Sequence, residues 1–338
     1  MLSPSAQLGR YFSVVGGVST LVAALVPLAL LASGAPGHEP SLALASHRLR
    51  EIGLADLGVL SVIIVAVGLI LHPLQFPITQ LMEGYWGALP AARRAMTRSV
   101  GRHYRRRSAL LTTSAKATKE VERLNRRLGE MRMLRSRHHP MSGKVRGLVA
   151  WERELVLQRI AHLVDEQQTQ QRLGRYPVSV NDVMPTRLGN VLRRHEREAG
   201  AAFGLDAIVV VPYLAQVADK TLRDYHDDAR SSLDLAVRMT LVWTATTVAG
   251  VLLLWRYDVW LIVPLLTSVL SYLSYVGSIA AAAQYGVALS VLVALGRGDL
   301  YTRLHVRFPE TSESELLQNE QLMAQLNGER AALDYVSS

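Results

Sequence analysis

No cysteine occurs among the 338 residues, which excludes a disulfide scaffold and any zinc or redox site that needs thiolates. Lysine is scarce too. Of 37 basic residues 4 are lysine and 33 are arginine, a bias that fits a GC-rich bacterial genome. The chain lacks the HExxH zinc motif, the GxxxxGKS/T phosphate loop, the GxGxxG dinucleotide fingerprint and the GxSxG nucleophile elbow. His162 and Glu166 stand four apart on one helix and His138-His139 sit in a turn, but nothing supplies a third metal ligand at recognisable spacing. No metal, no cofactor and no enzymatic activity are therefore expected. Charge itself is missing from long stretches. The 49% of apolar residues collect into uncharged runs around a strongly charged middle, which excludes a disordered chain and points to a membrane protein.

Four runs approach or pass the roughly 20 apolar residues needed to cross a hydrocarbon core of about 30 Å. The first pass is placed at 11–33. A signal peptide would share its Arg10, apolar run and small residues Ala32-Ser33-Gly34-Ala35, but the run exceeds the roughly 7–15 residues of such a core, so a retained helix is preferred. The second, 57–87, contains Pro73 and Pro77 and is expected to kink or break near His72, with Tyr85-Trp86 at the interface. The third, 239–255, is separated from the fourth only by Arg256-Tyr257-Asp258, which forces an antiparallel pair. The fourth, 259–296, has 38 uncharged residues, about 57 Å of helix at ~1.5 Å per residue, so it is read as a pass with a protruding or interfacial extension.

Residues 75–150 carry 17 Lys/Arg and 4 Asp/Glu, which places this segment inside by the positive-inside rule. Arg297, Arg303 and Arg307 after the last run agree. The expected fold is an all-α integral membrane protein of four transmembrane helices. Residues 1–10 and the tail 297–338 are cytoplasmic, 34–56 and 256–258 are external, and a basic cytoplasmic domain at 88–238 separates the second and third passes. The expected location is the bacterial plasma membrane.

Within the insertion, a helix from Ser108 carries Leu110, Ala117, Val121, Leu124, Leu128 and Met131 at a 3-4 repeat. A second, from about Val145 to Gln171, has Val149, Val156, Ile160, Leu163 and Val164 on its apolar side, giving a hairpin or two arms of a coiled coil. Tyr176-Pro177 through Pro185 reads as an ordered loop before a helix that reaches Ala199. Ala207 to Val211 reads as a short strand or buried extended run ended by Pro212. From Lys220 a helix with Leu222, Leu233 and Leu235 on one side continues into the third pass.

The segment Pro185-Thr186-Arg187-Leu188-Gly189-Asn190, Glu196, Gly204-Leu205-Asp206-Ala207 and Pro212, continued by Ala229-Arg230 and Leu233-Asp234, resembles a group of uncharacterised bacterial integral membrane proteins. The resemblance covers about 60 residues from Tyr176 onward. It implies a four-pass protein with a cytoplasmic insertion and brings no activity. Arg197-Glu198-Ala199-Gly200 stands where aromatic residues are common in that group.

Arg187 and Asn190 could bind a phosphate or lipid head group with Glu196 or Asp206 nearby. The preferred reading is structural: Arg187 bridging Asp206 or Glu196, Gly189 allowing close packing, and Asn190 satisfying a backbone group. Arg93, Arg94, Arg98, Arg102, Arg105, Arg106 and Arg107, directly after the second pass, read as a contact for anionic lipids. Nucleic acid is disfavoured, because Tyr104 is almost alone among them as an aromatic. In the fourth run Ser271, Ser274, Tyr275, Ser278, Ala282 and Gly286 form small and hydroxyl-bearing rows suited to helix packing or self-association. The functional expectation is a homo-oligomeric scaffold with an interaction domain for a possible cytoplasmic protein partner. The alternatives are a channel or transport subunit using the Ser/Tyr face, and a membrane enzyme acting on lipid head groups.

Overall fold

The computed structural model describes residues 17–51, 53–136, 143–331, 333 and 335. Among them regular structure is helical, apart from one isolated antiparallel bridge between Val306 and Tyr335. His138 and His139, and the start of the first apolar run, lie outside the described residues. In chain order the helices are α1 (Gly17–Ala32), α2 (Leu42–Arg50), α3 (Leu54–Glu83), α4 (Pro90–Ser136), α5 (Gly143–Leu173), α6 (Arg187–Glu198), α7 (Ala207–Val217), α8 (Lys220–Leu254), α9 (Ile262–Arg303) and α10 (Ser312–Leu326). The chain divides into two compact units, residues 88–194 and the remainder.

Two helices are long and apolar enough to cross a membrane: α8, and α9 together with the 3-10 turn Asp258–Leu261 that precedes it. The bent pair Arg187–Phe203 and Ala207–Val217, turning by 72°, would make a third if it formed one broken span. α8 and α9 run antiparallel in close contact. Gly250 lets them approach, since a Cβ there would lie 3.3 Å from Pro264 Cβ. Hydroxyls tie the pair together: Thr247 to Thr267 at 2.9 Å, Thr244 to Ser271 at 2.7 Å, and Ser271 donating to the Thr240 carbonyl at 3.3 Å. α1 and α3 pack on each other and on α8.

Of the kink or break expected in the second run, the break is absent. α3 is one 30-residue helix with Pro73 and Pro77 inside it, each proline forfeiting a backbone bond that the neighbouring turns outlast. It stops at Gly84, whose φ of 115° is the left-handed conformation glycine adopts without strain. The amides of Gly84 and Tyr85 both donate to the Gln80 carbonyl, and the Trp86 indole donates to that of Leu81 at 3.0 Å.

Three further expectations are corrected. Ala207 to Val217 is helical, not extended, because the Asp206 carboxylate caps its first turn at 2.9 Å and Pro212 falls inside it. The first helix of the insertion begins at Pro90 rather than Ser108. The second helix packs through Leu155 and Val156 against Leu124, Leu128 and Met131, and leaves Val149, Ile160 and Val164 exposed. Its polar partners explain why. Glu152 accepts from Arg132 and Arg135, Asn125 from Arg159, Ser114 from Gln170, and Glu166 from Thr118, so this face is fixed by pairing along the whole α4–α5 hairpin.

The 38-residue uncharged run also divides. As far as Val276 its large side chains face outward, with Leu265, Leu266 and Leu273 more than half exposed. From Ser278 one face of the helix is covered by protein, with Ala282, Leu292 and Val293 fully buried or nearly so and Gly296 against Leu214 and Ala218, while Val287 and Leu295 stay more than half exposed on the other. On the covered face Leu205, Ala207, Val210 and Leu322 close a core over the helix.

Candidate anion-binding site

The unit 88–194 is organised by one row of α4. Ser99, His103 and Arg107 recur every four residues and so share a face. The Ser99 hydroxyl donates to the Pro185 carbonyl at 2.6 Å, and His103 Nδ1 is hydrogen-bonded to the Tyr176 hydroxyl at 3.1 Å. Arg107 donates through Nε to the Pro177 carbonyl at 3.1 Å and through Nη2 to that of Val178 at 2.5 Å. Together these bonds lay the loop 176–185 along the helix. The loop carries its own order: Asn190 is 1% exposed, its Oδ1 accepts from the Met184 amide at 3.0 Å, and its Nδ2 donates to the carbonyls of Met184 and Thr186 at 2.7 and 2.6 Å. Thr186 caps α6 by accepting from the Gly189 amide at 2.9 Å.

The next row of α4 holds Arg102 and Arg106. Arg102 Nη2 donates to Ser99 Oγ at 3.3 Å, so one hydroxyl joins it to Pro185, two residues before Arg187. Arg106 lies close enough to Tyr176 to act on its hydroxyl. Arg187 opens α6, where the helix dipole adds positive potential. All three guanidinium groups act on His103, and Arg106 and Arg187 also act on Tyr176. Burial first, then Arg106, Arg187 and Arg102, hold the His103 imidazole below its ordinary pKa and so neutral. Burial pushes the Tyr176 phenol up, opposed by Arg106 and Arg187. Residues 84–119 contain no Asp or Glu, so the helix that supplies Arg102 and Arg106 brings no carboxylate beside them.

The arginines named from the sequence therefore fall into two groups. Arg93, Arg94, Arg98, Arg102, Arg105 and Arg106 are exposed, whereas Arg107 is spent on loop carbonyls. In the family-like segment Pro185 and Gly189 are buried, Arg187 is exposed and Glu196 half-buried. Asp206 caps α7 and lies 3.9 Å from Arg197, the ion pair expected of Arg187. Asn190 is engaged with backbone, which leaves it no amide hydrogen for a ligand. Ser99, His103 and Tyr176 were missed. Their only trace in the sequence is the four-residue spacing of 99, 103 and 107.

The small-residue row of α9 is used within the chain. Ser271 bonds to α8, Ser278 and Ala282 are fully buried, and Gly286 accommodates His195: a Cβ there would lie 2.0 Å from the imidazole Cγ. Ser274 and Tyr275 are half-buried. Beside this row α8 buries Asp234 and Arg238 just before its apolar stretch, with Arg230 at 3.4 Å from Asp234. The Tyr285 ring is flanked by His226 and Arg230. Below it, Asn319, fully buried, bonds the Tyr301 hydroxyl and the Phe203 carbonyl, while Arg297 donates to Glu315 at 2.7 Å. Among the described residues no three His, Asp or Glu side chains gather as a metal site.

No family model, curated protein or solved structure matches this chain.

Proposed function

We propose that the protein is a four-pass bacterial inner-membrane scaffold, with both termini and residues 88–238 on the cytoplasmic side and no catalytic role. The observation that carries this reading is how α8 and α9 spend their polar groups. The threonine and serine hydroxyls bond across the pair, while the outward side chains from Val259 to Val276 are apolar. A lipid-facing anchor needs that division, and a conducting path would need those hydroxyls free. Packing of α1 and α3 onto α8, with Val62, Val65 and Leu69 of α3 exposed, supports two further passes. The exposed arginines that follow α3 supply the positive-inside signal and a contact for anionic lipid. An exposed apolar stripe on α5 supports self-association of the cytoplasmic arm.

The absence of cysteine makes the topology testable without background. Ser46→Cys is expected to react with an impermeant maleimide from outside intact cells, and Ser136→Cys and Glu320→Cys only after permeabilisation. Labelling of Ser136→Cys from outside would overturn the orientation. A detergent-solubilised mass that stays at one 37.2 kDa chain at every concentration would overturn the oligomer.

A further inference from the structure

The geometry points to a binding site for a phosphate group on residues 88–194, formed by the guanidinium groups of Arg102, Arg106 and Arg187 beside the Tyr176 hydroxyl. This goes beyond the scaffold reading and does not depend on the number of membrane passes. Two elements far apart in sequence converge to make it. α4 offers Arg102 and Arg106 one turn apart, and the start of α6 offers Arg187. The convergence is fixed rather than accidental, because Ser99 holds Pro185 and accepts from Arg102, Tyr176 meets His103, and Asn190 locks the turn that leads into Arg187.

Three guanidinium groups gathered around one imidazole add like charge to a small region, and such an arrangement is relieved by a bound anion. The planar fork of arginine matches phosphate oxygens in pairs, and a hydroxyl adds a neutral donor. Neutral His103 does not add a fourth cation in the absence of ligand. The segment also explains its own division of labour: Arg107 and Asn190 are consumed by backbone, whereas Arg102, Arg106 and Arg187 are exposed. A phosphate monoester suits three forks better than a diester, which has fewer free oxygens. Its source could be a lipid head group or a soluble phosphate.

The full chain in nanodiscs tests this with two probes. Inorganic phosphate is titrated into neutral phosphatidylcholine discs while the His103 imidazole resonances are followed. Separately, discs doped with phosphatidic acid or phosphatidylserine are compared for lipid retained on the protein by native mass spectrometry. R102Q/R106Q/R187Q is expected to lose at least about tenfold in affinity, the loss of one or more charge-assisted bonds. The charge-matched K119Q/R126Q/R127Q, exposed farther along α4 and outside the arginine cluster, is expected to change it by less than about threefold. Preference for phosphatidic acid identifies the lipid head group, and a response to inorganic phosphate alone identifies a soluble ligand. Either supports the site. Equal loss in both triple variants would show diffuse charge attraction and overturn it, as would no binding of either probe by the wild type. R187K, which keeps the charge and removes the fork, guards against misfolding of the triple variant: a several-fold loss supports the site, and wild-type affinity for the probe that binds overturns it.

Discussion

The Ser99 hydroxyl and the Pro185 carbonyl, 86 residues apart in sequence, are joined by a hydrogen bond of 2.6 Å inside a buried contact. Because Arg102 also donates to Ser99, one small side chain sets the spacing between the arginine row of α4 and the start of α6. Ser99→Ala leaves that carbonyl short of its donor and should cost about 1–3 kcal/mol of local stability. It should also weaken phosphate binding without removing any charge. Hydrogen exchange at residues 176–187 would rise in the variant. Unchanged exchange would mean the loop is held from elsewhere.

Asn190 makes a stronger case of the same kind. Its amide satisfies one backbone donor and two backbone acceptors around Met184 and Thr186. Asn190→Ala orphans all three at a nearly inaccessible position, so a loss of about 2–4 kcal/mol is expected. Asn190→Asp keeps the acceptor but places a second oxygen against two carbonyls, and should be no better. A melting temperature of Asn190→Ala within error of wild type would refute the role.

Gly286 and His195 define a third expectation. Any side chain at 286 collides with the imidazole, so Gly286→Ala should cost about 1–3 kcal/mol through overpacking. His195→Ala leaves a gap of its own. Combined with Gly286→Ala it should cost less than the two single losses together, by at least about 0.5 kcal/mol. Strict additivity in thermal unfolding would show that the two residues do not meet.

How much of this was readable beforehand follows from what each residue contacts. The helical class and the α8–α9 pair were legible, because uncharged length and a three-residue connection leave few options. The extension of the last run was readable only as a choice, because apolar sequence facing outward and apolar sequence packed under α7 look alike. Val149, Ile160 and Val164 misled for a related reason. Periodicity finds an apolar face, but α5 has two, and only Glu152, Arg159 and Gln170 reveal which one the hairpin uses. The arginine cluster was plain as a block of charge. That Arg187 would stand with Arg102 and Arg106 depends on Ser99 and Tyr176, residues with no distinguishing pattern along the chain.

The second face of α5 carries Val149, Leu157, Ile160 and Val164, all between 46% and 55% exposed and spaced at helical intervals. Two copies laid antiparallel about the midpoint of Leu157 and Ile160 would bury this stripe against itself, with Arg153 of each helix near Asp165 of the other. Such an isologous contact closes at two chains. Leu157→Glu with Ile160→Glu should shift the solubilised protein toward the monomer mass and leave the hairpin face intact. If the double variant keeps the wild-type mass, the arm does not pair through this stripe.

His103 gives the protein a defined acid response. The imidazole faces Arg102 and Arg106 from its own helix and Tyr176 and Arg187 from the opposing segment, and its pKa is held below the ordinary 6.5. The unfolded loop therefore binds a proton more readily than the folded one just below pH 6.5. Stability of the 176–187 segment is present above that pH and is lost as pH falls from it toward the folded value. Hydrogen exchange of residues 176–187, measured between pH 7 and 5 and corrected for intrinsic rates, should show faster opening at the acid end. His103→Gln cannot be protonated and should flatten that slope while retaining a hydrogen bond to Tyr176. A wild-type slope that survives in His103→Gln would assign the acid response to another group.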